Sequence, residues 1–420
     1  MKIALLTNNY KPVMGGVPIS IERLAKGLRE MGNEVTIFAP TYKNEEQEEG
    51  VFRYKTLFNN FYGGTVVPYA MDPNIEREFK ENHYEVIHVH HPVLIGREAA
   101  YLSKKYGIPL VFTYHTRYEQ YLNYVGLIKK VQLLSKKNGP TGMLAKRMVS
   151  GVENDVMPAI IRSFCKKCDG VLAPTPGIGS YLETDCGVEK EKLSVLPTGL
   201  DKEAYESSVE SVKEIRNRYI KDGGFLFVSV SRISHEKNIL FLIDAVEALK
   251  KRTNMPFKLI FAGDGPKRSI YADMCKERGI SEIEFLGRVE NSKIKDYCRA
   301  SDAFLFASKS ETQGIVIIEA LAVGTPVIAV DASGVRDVVL NGVNGILTSE
   351  SVEEYADKLY SYMRGDIDID TMSDNAVNTA LLYKEEAVAR KATAIYESAI
   401  ERHNAEMRGK YGRKVPYFVS

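Results

Sequence analysis

Tryptophan is missing altogether from these 420 residues, and cysteine occurs only five times. So few cysteines in so long a chain cannot make the disulfide framework that holds small secreted domains together. Cys165 and Cys168 stand at the spacing of a metal or redox pair, but no second pair and no histidine follows at ligand spacing. They read as ordinary thiols on a helix, and no metal site is expected. Long apolar runs are also lacking: there is no uninterrupted apolar stretch of about 18 residues, so no spanning helix is expected. The run after Lys2 stops at Leu6, ahead of Thr7, Asn8 and Asn9, too soon for a secretory signal. A reducing cytoplasm is the expected compartment. Excess charge of either sign is absent too, with 56 Lys and Arg against 55 Asp and Glu, a net of +1. That balance argues against a nucleic-acid partner for the chain as a whole while leaving room for a local basic patch.

What is present is globular: 44% hydrophobic and 26% charged residues in a length that exceeds one ordinary core. Two domains of about 200 residues are the simplest division. In the first half, apolar runs at 2–7, 34–38, 86–90 and 110–113 read as buried strands separated by helical patterns, the first of these helices covering 19–30. Strands alternating with helices mean βαβ units and a parallel sheet. In such sheets ligands bind at the carboxyl ends of the strands, where Gly15, Gly16, His90, His91 and His115 fall. His88, His90 and His91 invite a metal reading, yet His88 and His90 share one strand face while His91 points away, and no carboxylate follows at ligand spacing. Packing and hydrogen bonding are the favoured roles.

The rest of the chain is organised around residues 308–330. The apolar run 303–307 reads as a buried strand, Ile315 to Val323 as a buried helix, and Gly324, Thr325 and Pro326 as its stop before another strand at 327–330. Gly314 therefore sits where a helix begins. A strand, a glycine turn and a helix N-terminus direct unpaired N–H groups and the positive end of the macrodipole at one spot, which suits phosphate. Glu311 precedes that helix and Glu319 lies within it, so both carboxylates reach a ligand seated on Gly314 and Ile315. Phosphates flanked by two hydroxyl-accepting carboxylates describe a sugar nucleotide.

Glu311 and Glu319, with the glycine between them and the Gly-Thr-Pro after them, resemble the Glu-x7-Glu motif of retaining glycosyltransferases of family 4. The resemblance implies an α/β chain of the GT-B fold, two Rossmann-like domains with parallel sheets facing across a cleft. It further implies that Glu311 contacts the donor sugar and Glu319 the ribose. Arg232 and Lys237, after the strand at 225–229, match the family's cations on the donor diphosphate, which make a metal unnecessary. Gly263 matches a turn packed near the nucleotide, Arg288 and Val289 the backbone that holds the base, and Gln313, Gly314, Ile315 and Val316 the phosphate-binding helix start. Gly15 and Gly16 match the N-terminal glycine loop, and His115 a histidine near the reacting sugar. The expected donor is UDP-glucose or a related nucleotide sugar, with no cofactor.

Residues 116–170 carry ten basic side chains against four acidic ones, a net of +6. Leu127, Ile128, Val131, Leu133 and Leu134 are interleaved with Lys129, Lys130, Lys136 and Lys137, and Met143, Leu144 and Met148 with Lys146 and Arg147. From pattern alone this is either a face lying on anionic lipid or a solvated helical face. The Tyr114-His115-Thr116-Arg117-Tyr118-Glu119 segment, the Ile87-to-Pro92 segment and the Glu311-Thr312-Gln313-Gly314 form of the donor motif are similar to the branch that glucosylates diacylglycerol. The usual family form has Gly or Ser and then Phe after the first Glu, where this chain has Thr312 and Gln313. This resemblance implies a lipid acceptor and peripheral attachment to the inner face of the cell membrane. A transferase for a soluble acceptor and a catalytically silent sugar-nucleotide-binding protein are the alternatives. The expected division is residues 1–198 as acceptor domain, with 400–420 packing back on it, and 199–399 as donor domain.

Overall fold

The computed structural model describes the chain except residues 14, 44, 62–64, 118–146, 148–155, 221–222 and 412–420. The chain divides into two compact units, Met1–Gly199 with Glu385–Ser420, and Leu200–Lys384.

In the first unit the buried apolar runs become strands β1 (Lys2–Leu6), β2 (Glu34–Pro40), β3 (Val51–Tyr54), the hairpin strands β4 (Thr56–Phe61) and β5 (Thr65–Pro68), β6 (Val86–Val89), β7 (Leu110–Thr113), β8 (Gly170–Ala173) and β9 (Leu193–Val195). Apart from the hairpin they form one parallel sheet in the order β3-β2-β1-β6-β7-β8-β9. The order runs one way from β1 and the other way from β6, so a crevice opens between the carboxyl ends of these two strands. Helix Gly16–Glu30 follows β1. Its N-terminus has no side-chain cap and no acidic residue in the first turn, which leaves its amides directed at that crevice end.

The second unit repeats the plan. Strands β10 (Phe225–Val230), β11 (Phe257–Ala262), β12 (Ile283–Gly287), β13 (Ala303–Phe306), β14 (Val327–Val330) and β15 (Gly345–Thr348) form a parallel sheet in the order β12-β11-β10-β13-β14-β15. Here the reversal lies between β10 and β13. Buried helices such as Ile239–Lys250 and Ile315–Ala322 cover the two faces, and each face has its own apolar core. Continuous apolar strands are what two covered faces require.

The long helix Glu385–Tyr411 belongs to the first unit. The return to that unit therefore starts at Glu385, where the sequence reading put residues up to 399 in the donor domain. Ala389, Ala392, Tyr396 and Ala399 are buried against the first sheet with Val86, Val111 and Leu172. Small side chains permit close approach: a Cβ at Gly27 would lie 2.9 Å from the Ala389 Cβ. Tyr396 is fully buried and its hydroxyl meets His88 Nδ1 at 2.8 Å. Further along, His403 Nδ1 meets both carboxylate oxygens of Asp169 at 3.1 Å, and Arg402 donates to the Asp169 carbonyl. Among the described residues no helix is long and apolar enough to cross a membrane.

Candidate active site

In the second unit the side chains converge at the carboxyl ends of β10 and β13, where the strand order reverses. Lys237 lies on the short 3-10 turn His235–Lys237 after β10, and its Nζ reaches Glu311 Oε1, after β13, at 2.5 Å. Ser308 Oγ donates to the same oxygen at 2.7 Å. With both contacts on Oε1, Oε2 is the atom left to accept a ligand hydroxyl. The ion pair is about four-fifths buried on each side, so solvent screens it less than a surface pair.

Gly314 is the N-cap of helix Ile315–Ala322, in the left-handed region at φ 72° and ψ 59°, with no side-chain cap and no acid in the first turn. A non-glycine residue there would be strained. The helix thus presents bare amides beside Lys237 and Glu311. Lys237 also offsets the negative charge of the Glu311 carboxylate at this helix start. Gln313 is 3% exposed, while Ile315, Val316 and Glu319 are half-buried. Burial, and after it the nearby Glu319 charge, pushes the Cys298 thiol pKa up.

Gly263 and Gly287 fix the neighbouring wall. Gly263 donates its N–H to the Gly287 carbonyl at 2.8 Å, and any Cβ on it would collide with the Ser231 carbonyl oxygen. This close approach of backbones at the ends of β10, β11 and β12 brings Arg288 and Val289, just past β12, to the same sheet edge. Arg232 is exposed after β10. Two contributors were not read from the sequence. Ser308 anchors Glu311, and Gly334, at φ 78°, packs so tightly on the Glu311 carbonyl that a Cβ there would overlap it. Ser308 follows a strand end and Gly334 stands in a small-residue turn, weak signals that only the folded loop makes specific.

In the first unit the crevice between β1 and β6 is closed by Asn8, whose backbone N–H donates to His91 Nδ1 at 3.1 Å. Thr7 Oγ1 lies 3.4 Å from the same nitrogen. Gly15 and Gly16 are exposed at the start of helix Gly16–Glu30. Gly15 is extended at φ 167°, and a Cβ there would meet nothing closer than Pro18 Cδ at 4.0 Å. The fold itself does not demand glycine at 15.

His88, His90 and His115 form a row, the first two buried and His115 half-buried. His88 bonds Tyr396 through Nδ1 and Thr113 through Nε2 at 2.6 Å, and its ring centroid lies 4.3 Å from that of His90. His90 Nδ1 meets His115 Nε2 at 2.8 Å, with the rings stacked 5.0 Å apart. Burial lowers the pKa of His88 and His115 to about 3 and of His91 to about 4, and it takes His90 well below the ordinary value, because a charged imidazole loses its hydration there. These rings are neutral at physiological pH. Hydroxyls, a backbone amide and a neighbouring imidazole are among their partners, and no group of three His, Cys, Asp or Glu among the described residues is arranged to hold a metal ion.

Cys165 and Cys168 are buried free thiols. Lys129, Lys130, Lys136, Lys137 and Lys146 lie outside the described residues, and Arg147 is exposed.

Comparison with known proteins places this geometry. A family profile described as "Glycosyltransferase Family 4" matches residues 14–204, and one described as "Glycosyl transferases group 1" matches residues 211–379. The alpha-monoglucosyldiacylglycerol synthase of Streptococcus pneumoniae is 31% identical over 337 residues, 78% of this chain and 71% of that protein. The enzyme of the same name from Acholeplasma laidlawii is 28% identical over 421 residues, 98% of this chain and all of its own. Among solved structures, Anabaena HepE in complex with UDP superimposes with TM-score 0.70 at 20% identity, covering 95% of this chain and 100% of that one. Sucrose-phosphate synthase from Thermosynechococcus elongatus gives TM-score 0.72 at 19% identity, covering 95% and 99%. With two parallel sheets that each reverse their strand order once, and with relatives matching along both halves, the chain belongs to the family 4 glycosyltransferases of GT-B fold.

Proposed function

We propose that this transferase moves a hexose, glucose in the first instance, from a UDP-sugar to the hydroxyl of a lipid acceptor such as diacylglycerol, with retention of anomeric configuration and without a metal ion. The observation that carries the donor half is the Lys237–Glu311 pair beside the bare amides of Gly314 and Ile315. A diphosphate seated there meets two cations, Arg232 and Lys237, and a helix N-terminus, which together supply the charge that a metal would otherwise bring. Glu311 Oε2 accepts from sugar hydroxyls and Glu319 from the ribose. Gly263 and the backbone of Arg288 and Val289 border the base, while Gln313 and Val316 flank the phosphates. From the first unit, Gly15 and Gly16 admit the acceptor and His115 bonds a sugar hydroxyl. As the bond from the anomeric carbon to the phosphate oxygen breaks, UDP departs with the electron pair. The acceptor oxygen then bonds that carbon from the same face and its proton passes to the leaving phosphate.

The lipid half rests on the names of the two related synthases and on the net +6 of residues 116–170. The protein acts as a peripheral enzyme at the inner face of the cell membrane, held by Lys129, Lys130, Lys136, Lys137, Lys146 and Arg147. The test is incubation of the full chain with labelled UDP-glucose and mixed vesicles of diacylglycerol and anionic lipid, with and without chelator. Labelled glycolipid with an α linkage by NMR, equal in both arms, is the expected result. Label passing only to soluble acceptors overturns the lipid assignment, and loss of activity in chelator overturns the metal-free one.

A further inference from the structure

We infer that His90 is a positioning residue that fixes the proton of His115 on Nδ1, so that His115 presents a hydrogen-bond donor, and not a base, on the side away from His90. The inference rests on the proposed placement of His115 at the reacting sugar, and it makes that role more specific.

The proton count runs over one buried ring, His90, and one half-buried ring, His115. His90 is 1% exposed, and its Nδ1 and the His115 Nε2 lie 2.8 Å apart, so one proton sits between them. Each ring is neutral and carries a single N–H. If His115 donated from Nε2, the His90 proton would have to be on its own Nε2. That nitrogen is buried and has no hydrogen-bond partner among the described residues. Its N–H would then be an orphaned buried donor, the rarest kind of unpaired group in folded proteins. If His90 donates from Nδ1 instead, its Nε2 holds only a lone pair, and an acceptor left unsatisfied is tolerated more often. The second arrangement is therefore favoured, and it leaves His115 with its one proton on Nδ1.

The surroundings remove the remaining freedom. The His88 ring stands behind His90 at 4.3 Å and is itself held at both nitrogens by Tyr396 and Thr113, so His90 cannot turn to give Nε2 a partner without displacing a buried ring. A doubly protonated His90 would put a buried charge among three neutral imidazoles. The consequence for the chemistry is directional. A His115 that carries Nδ1–H can hold a sugar hydroxyl oxygen or share negative charge developing on one. It cannot take the proton of the acceptor there, which leaves that proton to the departing phosphate.

The experiment is long-range 15N–1H NMR on the full chain with 15N-labelled histidine, paired with kinetics of three variants. The wild type should show His115 in the Nδ1–H form, the tautomer that free histidine populates less. In His90→Leu, which has no donor, His115 should shift towards Nε2–H and kcat should fall about ten- to a hundredfold with KM little changed. His90→Asn, whose side-chain amide places an N–H where Nδ1 stood, should restore both the tautomer and most of the rate. An Nε2–H signal in the wild type, or full kcat in His90→Leu, overturns the inference while leaving the transferase reading intact. Full activity in His115→Ala removes His115 from the reaction, and the tautomer measurement then decides the proton position alone. Should His90→Leu fail to fold, the wild-type spectrum still settles the proton.

Discussion

Mild acid should unfold the first unit before the second. His88, His91 and His115 are neutral in the fold, with pKa values near 3, 4 and 3, against about 6.5 in an unfolded chain. The unfolded state therefore binds more protons between those limits, so the stability these groups confer is whole above about pH 6.5 and drains away as the pH falls. At about pH 5.5 each has forfeited about 1.4 kcal/mol, together about 4, and His90 adds in the same direction. One group opposes them. Glu98 is buried, its pKa raised to about 7 mainly by burial and then by Glu76, so its contribution is present at low pH and lost as pH rises through 7. Between about pH 7.5 and 5.5 it returns about 2 kcal/mol. Even without His90 the net loss is about 2 kcal/mol, a sizeable part of the roughly 5–15 that a domain commands. With a denaturant slope of about 2 kcal/mol per molar, the urea midpoint of the first unit should drop by about 1 M. The second unit holds one histidine, His235, and it is exposed, so its midpoint should scarcely move. Hydrogen exchange read by mass spectrometry against urea separates the two units. In Glu98→Gln the drop should grow to about 2 M, because the opposing group is gone. Equal midpoints for the first unit at both pH values would refute the reasoning, as would a matching drop in the second.

Three other perturbations follow from the geometry. Glu319→Ala should weaken UDP binding about 5- to 150-fold by leaving ribose hydroxyls unpaired at about 1–3 kcal/mol, and calorimetry with UDP measures it. Unchanged affinity in a folded variant would dismiss that role. Gly263→Ala forces a Cβ into the Ser231 carbonyl and should lower both the melting temperature of the second unit and its nucleotide affinity, whereas Gly32→Ala, with nothing within 4 Å, should cost only its backbone strain. Tyr396→Phe deprives His88 Nδ1 of its partner and should destabilise the first unit by about 1–3 kcal/mol in urea titration at neutral pH.

The strands that the sequence displayed best are those buried on both faces. Lys2–Leu6, Leu110–Thr113 and Val327–Val330 stand as near-continuous apolar runs because helices cover each side, and burial was the signal being read. Val51–Tyr54 gave no such signal: it is a four-residue edge strand after a charged stretch, and only its pairing with β2 defines it. Helix Gly16–Glu30 began three residues before the expected start at 19, since Gly16 and Pro18 read as loop residues although Pro suits a first turn. Around helix Ile315–Ala322, the start at Gly314 was legible because a glycine turn between two apolar runs marks it by local sequence, and Glu311 and Glu319 take their places from it. Ser308, Gly334 and the His90–His115 contact were not legible, since each depends on chain segments brought together by the sheet. The stripe Ala389, Ala392, Tyr396 and Ala399 is visible at helical spacing, but an alanine stripe does not say which unit it will cover.

That last helix has a consequence for how the molecule is made. The first unit is assembled from both ends of the polypeptide, with the whole of Leu200–Lys384 inserted between its parts. During synthesis the inserted unit emerges complete while the earlier sheet still waits for the side chains that seal one of its faces. Until Glu385–Tyr411 leaves the ribosome, Val86, Val111 and Leu172 lack the cover that Ala389, Ala392, Tyr396 and Ala399 give them, and His88 has no tyrosine beside it. The later-encoded unit is thus the first able to mature, and a nascent chain halted before Glu385 would display an apolar sheet surface of the kind that chaperones recognise.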